Sequence, residues 1–66
     1  MESANVVLDV WQTSDGDKTT FHAALGNNPS VSGGYHSVLE RSKQIFADIT
    51  HINRAGNIIP WSQRFV

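Results

Sequence analysis

The chain has 66 residues, a formal net charge of −1 at pH 7, 39% hydrophobic and 17% charged residues, and no cysteine. This length allows one domain over residues 1–66, the missing cysteines exclude disulfides and thiolate metal sites, and the charge offers no basic surface for nucleic acid. No apolar run approaches the roughly 18–20 residues of a membrane span, and the N-terminus does not resemble a signal peptide. We therefore expect a cytoplasmic protein that makes no membrane contact.

A domain this small has little apolar surface to bury on folding. Below roughly 70–80 residues, stable domains usually carry a disulfide, a structural metal or a partner subunit. Because disulfides are excluded, we expect the chain to gain stability by self-association as a homo-oligomer, in the simplest case a homodimer.

Two strands joined by a tight turn are predicted at the start of the chain. The segments Asn5 to Thr13 and Thr19 to Leu25 have β-branched and aromatic character, and Ser14-Asp15-Gly16-Asp17 lies between them. If Asp15-Gly16 forms a two-residue type I′ turn, one face of the hairpin is entirely apolar, whereas a three-residue loop mixes polar with apolar partners. The pairs predicted for the apolar face are Val10–Phe21, Leu8–Ala23 and Val6–Leu25.

The other face of this hairpin is half polar and displays a tryptophan. In the predicted register Asp9 lies opposite His22 and Trp11 lies opposite Thr20. The Asp9–His22 couple is the one carboxylate–imidazole pair that the register produces. A cross-strand ion pair accounts for it, so we assign no catalytic residue. Trp11 makes this face the first candidate for a contact surface.

A loop over residues 26–35 is expected to lead into one helix. Ser37-Val38-Leu39-Glu40 fits a capping box, in which the serine hydroxyl accepts a hydrogen bond from a first-turn amide and Glu40 reaches back. Apolar positions then recur at helical spacing, which indicates one buried stripe. The residues of that stripe are Val38, Leu39, Ser42, Ile45, Phe46 and Ile49.

The end of the helix allows two interpretations. The helix either runs to Asn53, leaving residues 57–65 as a lone third strand, or ends near Asp48 and is followed by a second hairpin. We favour the hairpin, because residues 49–53 are poor helix formers. Asn53-Arg54-Ala55-Gly56 would then form a type I turn with a glycine bulge, and Pro60 would mark an edge strand. The predicted pairs are Ile52–Ile58 and Ile49–Trp61.

These elements predict an α+β fold. One helix packs on a three- or four-stranded antiparallel sheet, in the order β-β-α-β-β or β-β-α-β. In size and layout the chain resembles small bacterial domains and compact phage-encoded inhibitors of host enzymes. The resemblance is one of outline and carries no shared motif.

The segment before the helix is a candidate ligand site. Free amides and the positive end of the helix dipole attract anions, and two glycines allow close approach of a phosphate or nucleotide. The segment lacks the lysine of a Walker A loop. His22, His36 and His51 show no metal-site spacing, so neither a metal nor a cofactor is predicted. The residues of the candidate ligand site are Ser32, Gly33, Gly34, Tyr35, His36 and Ser37.

The C-terminal residues 60–66 form a second candidate contact surface. Trp61, Arg64 and Phe65 belong to types that are enriched at or near interface hot spots, and an edge strand can add to another sheet. Together with Trp11, they predict a non-enzymatic binding protein that modulates or inhibits a partner protein. A nucleotide or phosphate binder that uses the loop is the alternative, and an RNA-binding module is the third hypothesis.

Overall fold

A computed structural model describes residues 4–66 of the chain. They form five strands, one α-helix and a short 3₁₀ turn, and the strands lie side by side in the order β3-β2-β1-β4-β5. The elements in chain order are β1 (Val7–Asp15), β2 (Lys18–Ala24), β3 (Val31–Gly33), α1 (Tyr35–Ile45), β4 (His51–Arg54), β5 (Asn57–Pro60) and the 3₁₀ turn (Trp61–Gln63).

The α+β class is confirmed, but the three- or four-stranded antiparallel sheet is wrong. The sheet has five strands and is mixed, because β4 pairs with β1 in parallel while the other neighbours are antiparallel. The additional strand, β3, lies within the segment predicted as loop. The parallel pair follows from the connection: α1 crosses over one face of the sheet and delivers β4 alongside β1.

The first hairpin turns one residue later than predicted. Asp15 pairs with Lys18, so the two-residue loop is Gly16-Asp17, and Gly16 has φ 62°. A positive φ at the first loop position alone fits a type II′ turn rather than type I′. Val10 consequently pairs with Ala23 instead of Phe21. The register moves by two residues in total, which leaves every side chain on its predicted face.

The helix begins earlier than the capping box implies. Gly34 is its N-cap and makes no side-chain capping bond, so the prediction that Ser37 and Glu40 cap the helix is wrong. The predicted stripe is partly right. Val38, Leu39 and Ser42 are buried, whereas Ile45, at the last helical position, is 61% exposed.

The second hairpin is confirmed, with a tighter turn than predicted. Ala55 and Gly56 have φ values of 52° and 87°, and two consecutive positive φ angles fit a type I′ turn in place of a type I turn with a bulge. Ile52 therefore pairs with Ile59, not with Ile58. The predicted Ile49–Trp61 pair does not form either, because Trp61 opens the 3₁₀ turn. As expected from Pro60, β5 lies at the edge of the sheet.

Ala55 is in a left-handed conformation that suits glycine better than alanine. We expect Ala55→Gly to raise the free energy of unfolding by about 0.5–1 kcal/mol, because the Cβ of alanine is crowded at this φ. Urea denaturation at fixed protein concentration measures the change. The matched control is Ala24→Gly, within β2, which should lower stability. A loss of stability in Ala55→Gly would contradict the type I′ turn.

The core lies between α1 and one face of the sheet. Leu8, Val38, Leu39 and Ile52 are fully buried, with Val10, Ala23 and Ile49 beside them. The C-terminal residues pack next to α1, since the Tyr35 hydroxyl donates a hydrogen bond to the Arg64 carbonyl. The molecule measures 48 × 23 × 18 Å. The first hairpin contributes an arm, residues 11–20, in which β1 and β2 pair with each other beyond their contacts with β4 and β3.

Candidate functional site

One face of the sheet has no helix over it. The helix covers the face that carries Leu8, Val10 and Ala23, so the residues that alternate with them point to the opposite side. We call this opposite side the open face. Among its residues are Asp9, Trp11, Thr13, Thr20, His22, Ala24, Ser32, His51, Asn53 and Ile58.

Trp11 is held on the open face by its cross-strand neighbour. Its indole stacks on the His22 imidazole, with ring centroids 5.6 Å apart and an interplanar angle of 18°. The imidazole is itself fixed at both nitrogens: Nε2 lies 2.8 Å from Thr13 Oγ1 and Nδ1 lies 2.8 Å from Ser32 Oγ. Trp11 is nevertheless 44% exposed. This Trp11 cluster (Trp11, Thr13, His22 and Ser32) spans β1, β2 and β3.

The predicted Asp9–His22 pair is wrong, and so is the pairing of Trp11 with Thr20. Asp9 lies opposite Ala24 and accepts a hydrogen bond from Asn53 Nδ2 at 3.3 Å. The two-residue change of register explains both errors, because it moves His22 next to Trp11. In a serine–histidine–aspartate triad a carboxylate orients the imidazole. Here the second partner of His22 is the hydroxyl of Thr13, which carries no charge.

A groove lies at the base of the arm, next to Val10 and Arg54, where the pairing of β1 with β4 ends. Its volume is about 220 Å³, and its lining is mainly apolar, with the Arg54 side chain as its one charged residue. The guanidinium of Arg54 lies 4.8 Å from the centre of the Tyr35 ring. We call this the Arg54 groove. Its lining residues are Val10, Trp11, Gln12, Phe21, Arg54 and Ala55.

The three C-terminal candidates lie on the helix side of the molecule, away from the open face. The Arg64 guanidinium lies 4.7 Å from the centre of the Trp61 ring and 4.8 Å from that of Phe65, and Lys43 Nζ lies 5.4 Å from Trp61. Trp61 and Arg64 are half-buried in this packing, whereas Phe65 is 48% exposed and stacks on His36. The structure thus brings Trp61, Arg64 and Phe65 together but leaves Trp11 apart from them.

The candidate ligand segment before the helix uses several of its groups within the fold. The Ser32 hydroxyl contacts His22, and the Ser32 carbonyl accepts a hydrogen bond from Arg41. The Tyr35 hydroxyl donates to Arg64, as described above. Gly33 has φ 149°, and a Cβ built there would lie 3.0 Å from Arg41 Nη2.

The remaining residues of that segment lie at the start of the helix. Gly34 is the N-cap, and both His36 and Ser37 are exposed. His36 Nε2 lies 3.7 Å from Glu40 Oε1 in an i, i+4 pair. The positive end of the helix dipole lies at this end of α1. The exposed side chains here are those of His36, whose ring contacts Glu40 and Phe65, and of Ser37.

Two further observations concern residues 4–66, and a third concerns the chain as a whole. No group of three histidine, aspartate or glutamate side chains among them is arranged to hold a metal ion. Within the same range, no helix is long and apolar enough to cross a membrane. No protein-family model, curated protein or solved structure matches the chain. A function is therefore inferred from the geometry of the site.

The sequence predicted Trp11 as a contact residue, but not the cluster that the structure forms around it. Thr13 and Ser32 were not predicted to contact His22. The predicted register of β1 with β2 differs by two residues from the observed one, and β3 was predicted as loop. The alternation of residues in β1 did carry the signal for Thr13, which shares a face with Trp11. Nothing local to Ser32 indicated that it belongs to a strand.

Proposed function

We propose that this chain is a non-enzymatic binding protein that modulates a partner protein, with Trp11 on the open face as its main anchor. The observation that carries the proposal is an exposed indole stacked on an imidazole whose two nitrogens each contact a hydroxyl. Tryptophan is the residue most enriched at interface hot spots. A side chain that is already ordered loses less conformational entropy when a partner binds, so more of its contact energy contributes to affinity.

The groups around Trp11 favour a protein partner with an apolar pocket and neutral hydrogen-bonding groups around it. Thr13, His22 and Ser32 provide hydroxyl and imidazole groups beside the indole, and the Asp9 carboxylate is bonded to Asn53. An apolar anchor surrounded by polar groups is the usual arrangement of a hot spot and its rim.

The distribution of basic residues argues for protein rather than RNA. An aromatic residue on an open sheet is also a platform for stacking bases, but nucleic-acid affinity depends mainly on cations near the phosphates. Arg41, Lys43 and Arg64 contact groups on the helix side, and Arg54 packs against Tyr35. Lys18 lies near the tip of the arm, where it pairs with Asp15.

The proposal is tested by comparing wild type, Trp11→Ala and Ile45→Ala. Each is immobilised and exposed to an extract of the cells that produce the protein, and the captured partner is then purified. We expect Trp11→Ala to raise the Kd for that partner by about 30-fold or more, because hot-spot truncations cost at least about 2 kcal/mol. Titration calorimetry measures the Kd.

Ile45→Ala is the matched control, since Ile45 is a large exposed apolar residue on the helix side. It should leave the Kd within about threefold of wild type, and circular dichroism should show that both variants fold. Equal binding by wild type and Trp11→Ala would refute Trp11 as the anchor. A Tm that rises with nucleotides, or binding that weakens steeply with salt, would instead favour the loop ligand or RNA hypothesis.

A further inference from the structure

The side chain of Arg54 has no hydrogen-bonding partner in the part of the chain that the structure describes. Three other basic side chains each donate a hydrogen bond to a backbone carbonyl, namely those of Arg41, Lys43 and Arg64. Within residues 4–66, no such bond and no ion pair involves the guanidinium of Arg54. The residue is half-buried, so this cation is only partly hydrated. Its N–H groups are therefore available to an anion from outside the chain.

The guanidinium of Arg54 contacts an aromatic ring. It lies 4.8 Å from the centre of the Tyr35 ring. The Tyr35 hydroxyl donates to the Arg64 carbonyl, and its ring packs against Phe21 with centroids 5.1 Å apart. A guanidinium over an aromatic face keeps its N–H groups in a planar fork that matches the two oxygens of a carboxylate. The Tyr35 ring thus orients Arg54 without occupying the donors that a carboxylate would use.

The Arg54 groove provides apolar space next to these donors. Val10 and Phe21, on the helix side of β1 and β2, contribute apolar surface, and Gln12 lies on the same side where the groove is exposed. The groove has a volume of about 220 Å³. An apolar cavity of about 150 Å³ is large enough to bind benzene. The groove therefore has room for one aromatic ring and a short chain that carries an anionic group.

The charge of the groove favours a carboxylate over a phosphate. Arg54 is the one charged residue in its lining, and Gln12 contributes a neutral amide. A carboxylate has a single negative charge, which one guanidinium neutralises, whereas a phosphate monoester carries about −1.5 to −2 at pH 7. The excess charge of a phosphate would lie against apolar side chains with no second cation in the lining, which is unfavourable.

We propose that the Arg54 groove binds a small aromatic carboxylic acid. The carboxylate lies on the guanidinium of Arg54, and the ring packs against Val10 and Phe21, since aromatic pairs contribute beyond the area that they bury. A ligand with one ring fits this volume, because pockets for larger, drug-sized molecules measure roughly 300–1,000 Å³.

This site is separate from the one in the proposed function. Trp11 borders the groove, but its indole stacks on His22 on the open face. Val10, Phe21 and Arg54 lie on the helix side of the sheet. Partner binding that Trp11→Ala leaves unchanged would overturn only the proposed function. Failure of the ligand experiments below would overturn only the site proposed here.

The first experiment compares four small molecules by NMR titration of the isotope-labelled wild-type protein. Hydrocinnamate is the probe. Hydrocinnamide has the same ring without the charge, acetate has the charge without the ring, and phenyl phosphate replaces the carboxylate by a phosphate. We expect a Kd of about 0.1–1 mM for hydrocinnamate, as is usual for about a dozen non-hydrogen atoms, and at least about tenfold weaker binding of hydrocinnamide and acetate. Phenyl phosphate should also bind more weakly.

Three results of this comparison would overturn the proposal. One is no saturable binding of hydrocinnamate up to about 10 mM, which is far above the Kd expected for such a ligand. The second is binding of hydrocinnamide as tight as that of hydrocinnamate, because the guanidinium would then have no role. The third is binding of phenyl phosphate that is as tight or tighter, because the site would then not select a carboxylate.

The same titration locates the site. The largest chemical-shift changes should occur at the backbone amides of Gln12, Phe21 and Ala55, which line the groove. Largest changes at Ser37 would place the ligand at the start of the helix, and largest changes at His22 would place it on the open face. Either of these results would overturn the proposal.

Variants of Arg54 test the role of the guanidinium. Arg54→Gln should raise the Kd for hydrocinnamate by at least about tenfold, because it removes a charge-assisted bidentate pair. Arg54→Lys keeps the charge but loses the planar fork, so it should raise the Kd by about three- to tenfold. Lys18→Gln is the control for net charge: Lys18 is exposed near the tip of the arm, and the Kd should stay within about twofold of wild type. Equal Kd values for wild type and Arg54→Gln would overturn the proposal.

Gln12→Trp tests the groove with Arg54 left in place, which covers the case that circular dichroism shows Arg54→Gln to be unfolded. Tryptophan suits a strand, and its ring would fill the apolar part of the groove. We expect it to raise the Kd for hydrocinnamate by at least about tenfold. The control is Thr20→Trp, which adds the same ring on the opposite face of the arm and should leave the Kd within about twofold. Equal Kd values for these two variants would overturn the proposal.

Discussion

Leu39→Ala is expected to lower the free energy of unfolding by about 2–5 kcal/mol, the largest stability loss that we predict for this protein. Leu39 is fully buried, in the middle of the helix, among Leu8, Val38 and Ile52. Its removal loses the transfer free energy of the side chain and leaves a cavity that a small core cannot close. A chain of this length has a total stability of only roughly 3–10 kcal/mol, so the variant should be largely unfolded near its former Tm.

Urea denaturation followed by circular dichroism measures this change, at one protein concentration for all variants because self-association would add to the apparent stability. Ile45→Ala is the control, since Ile45 belongs to the same apolar stripe in the sequence but is 61% exposed. We expect it to stay within about 0.5 kcal/mol of wild type. Similar losses in both variants would show that α1 is rotated relative to the core described here.

Ser42→Ala is expected to act in the opposite direction and raise the free energy of unfolding by about 1–2 kcal/mol. Ser42 is fully buried, and its hydroxyl has no hydrogen-bond partner among residues 4–66. A buried hydroxyl without a partner costs about 1–3 kcal/mol of desolvation, which alanine removes. Alanine also has the higher helix propensity.

The control for this prediction is Ser37→Ala, an exposed serine in the same helix. This variant gains the same helix propensity but removes no buried hydroxyl, so it should raise the free energy of unfolding by at most about 0.5 kcal/mol. The difference between the two variants in urea denaturation isolates the cost of the buried hydroxyl. Ser37→Ala also tests the helix start, because a loss of about 1 kcal/mol would indicate that Ser37 caps the helix after all.

The buried face of the first hairpin follows from local signals alone. The apolar alternation in β1 and β2 places Leu8, Val10 and Ala23 on the buried face, and this holds although the turn lies one residue later than predicted. The register itself was not predictable in the same way. A shift of two residues keeps each side chain on its face, so the hydrophobic pattern fits both registers equally well. The turn type decided between them, through the positive φ of Gly16.

The candidate site depends on that register, and for this reason the sequence predicted only part of it. Trp11 was predicted as a contact residue because a tryptophan on a half-polar face is unusual by itself. Its stacking on His22 and the bond from His22 to Ser32 depend on which residues face each other across three strands. A strand of three residues such as β3 is too short to show a periodic pattern, so Ser32 could not be assigned from its neighbours.

The sequence by itself determined the elements whose causes are local: the two hairpins, the one helix and the buried face of the first hairpin. Turn residues and apolar spacing act within a few positions of the chain, and they specify these features without reference to the rest of the fold. Only the tertiary structure decided that β4 lies parallel to β1 and stops at Arg54. Where a strand inserts depends on the path of the helix that carries it across the sheet, and that path is set by packing between residues far apart in the sequence. The Arg54 groove follows from that placement, whereas the surroundings of Trp11 follow from the register of β1, β2 and β3.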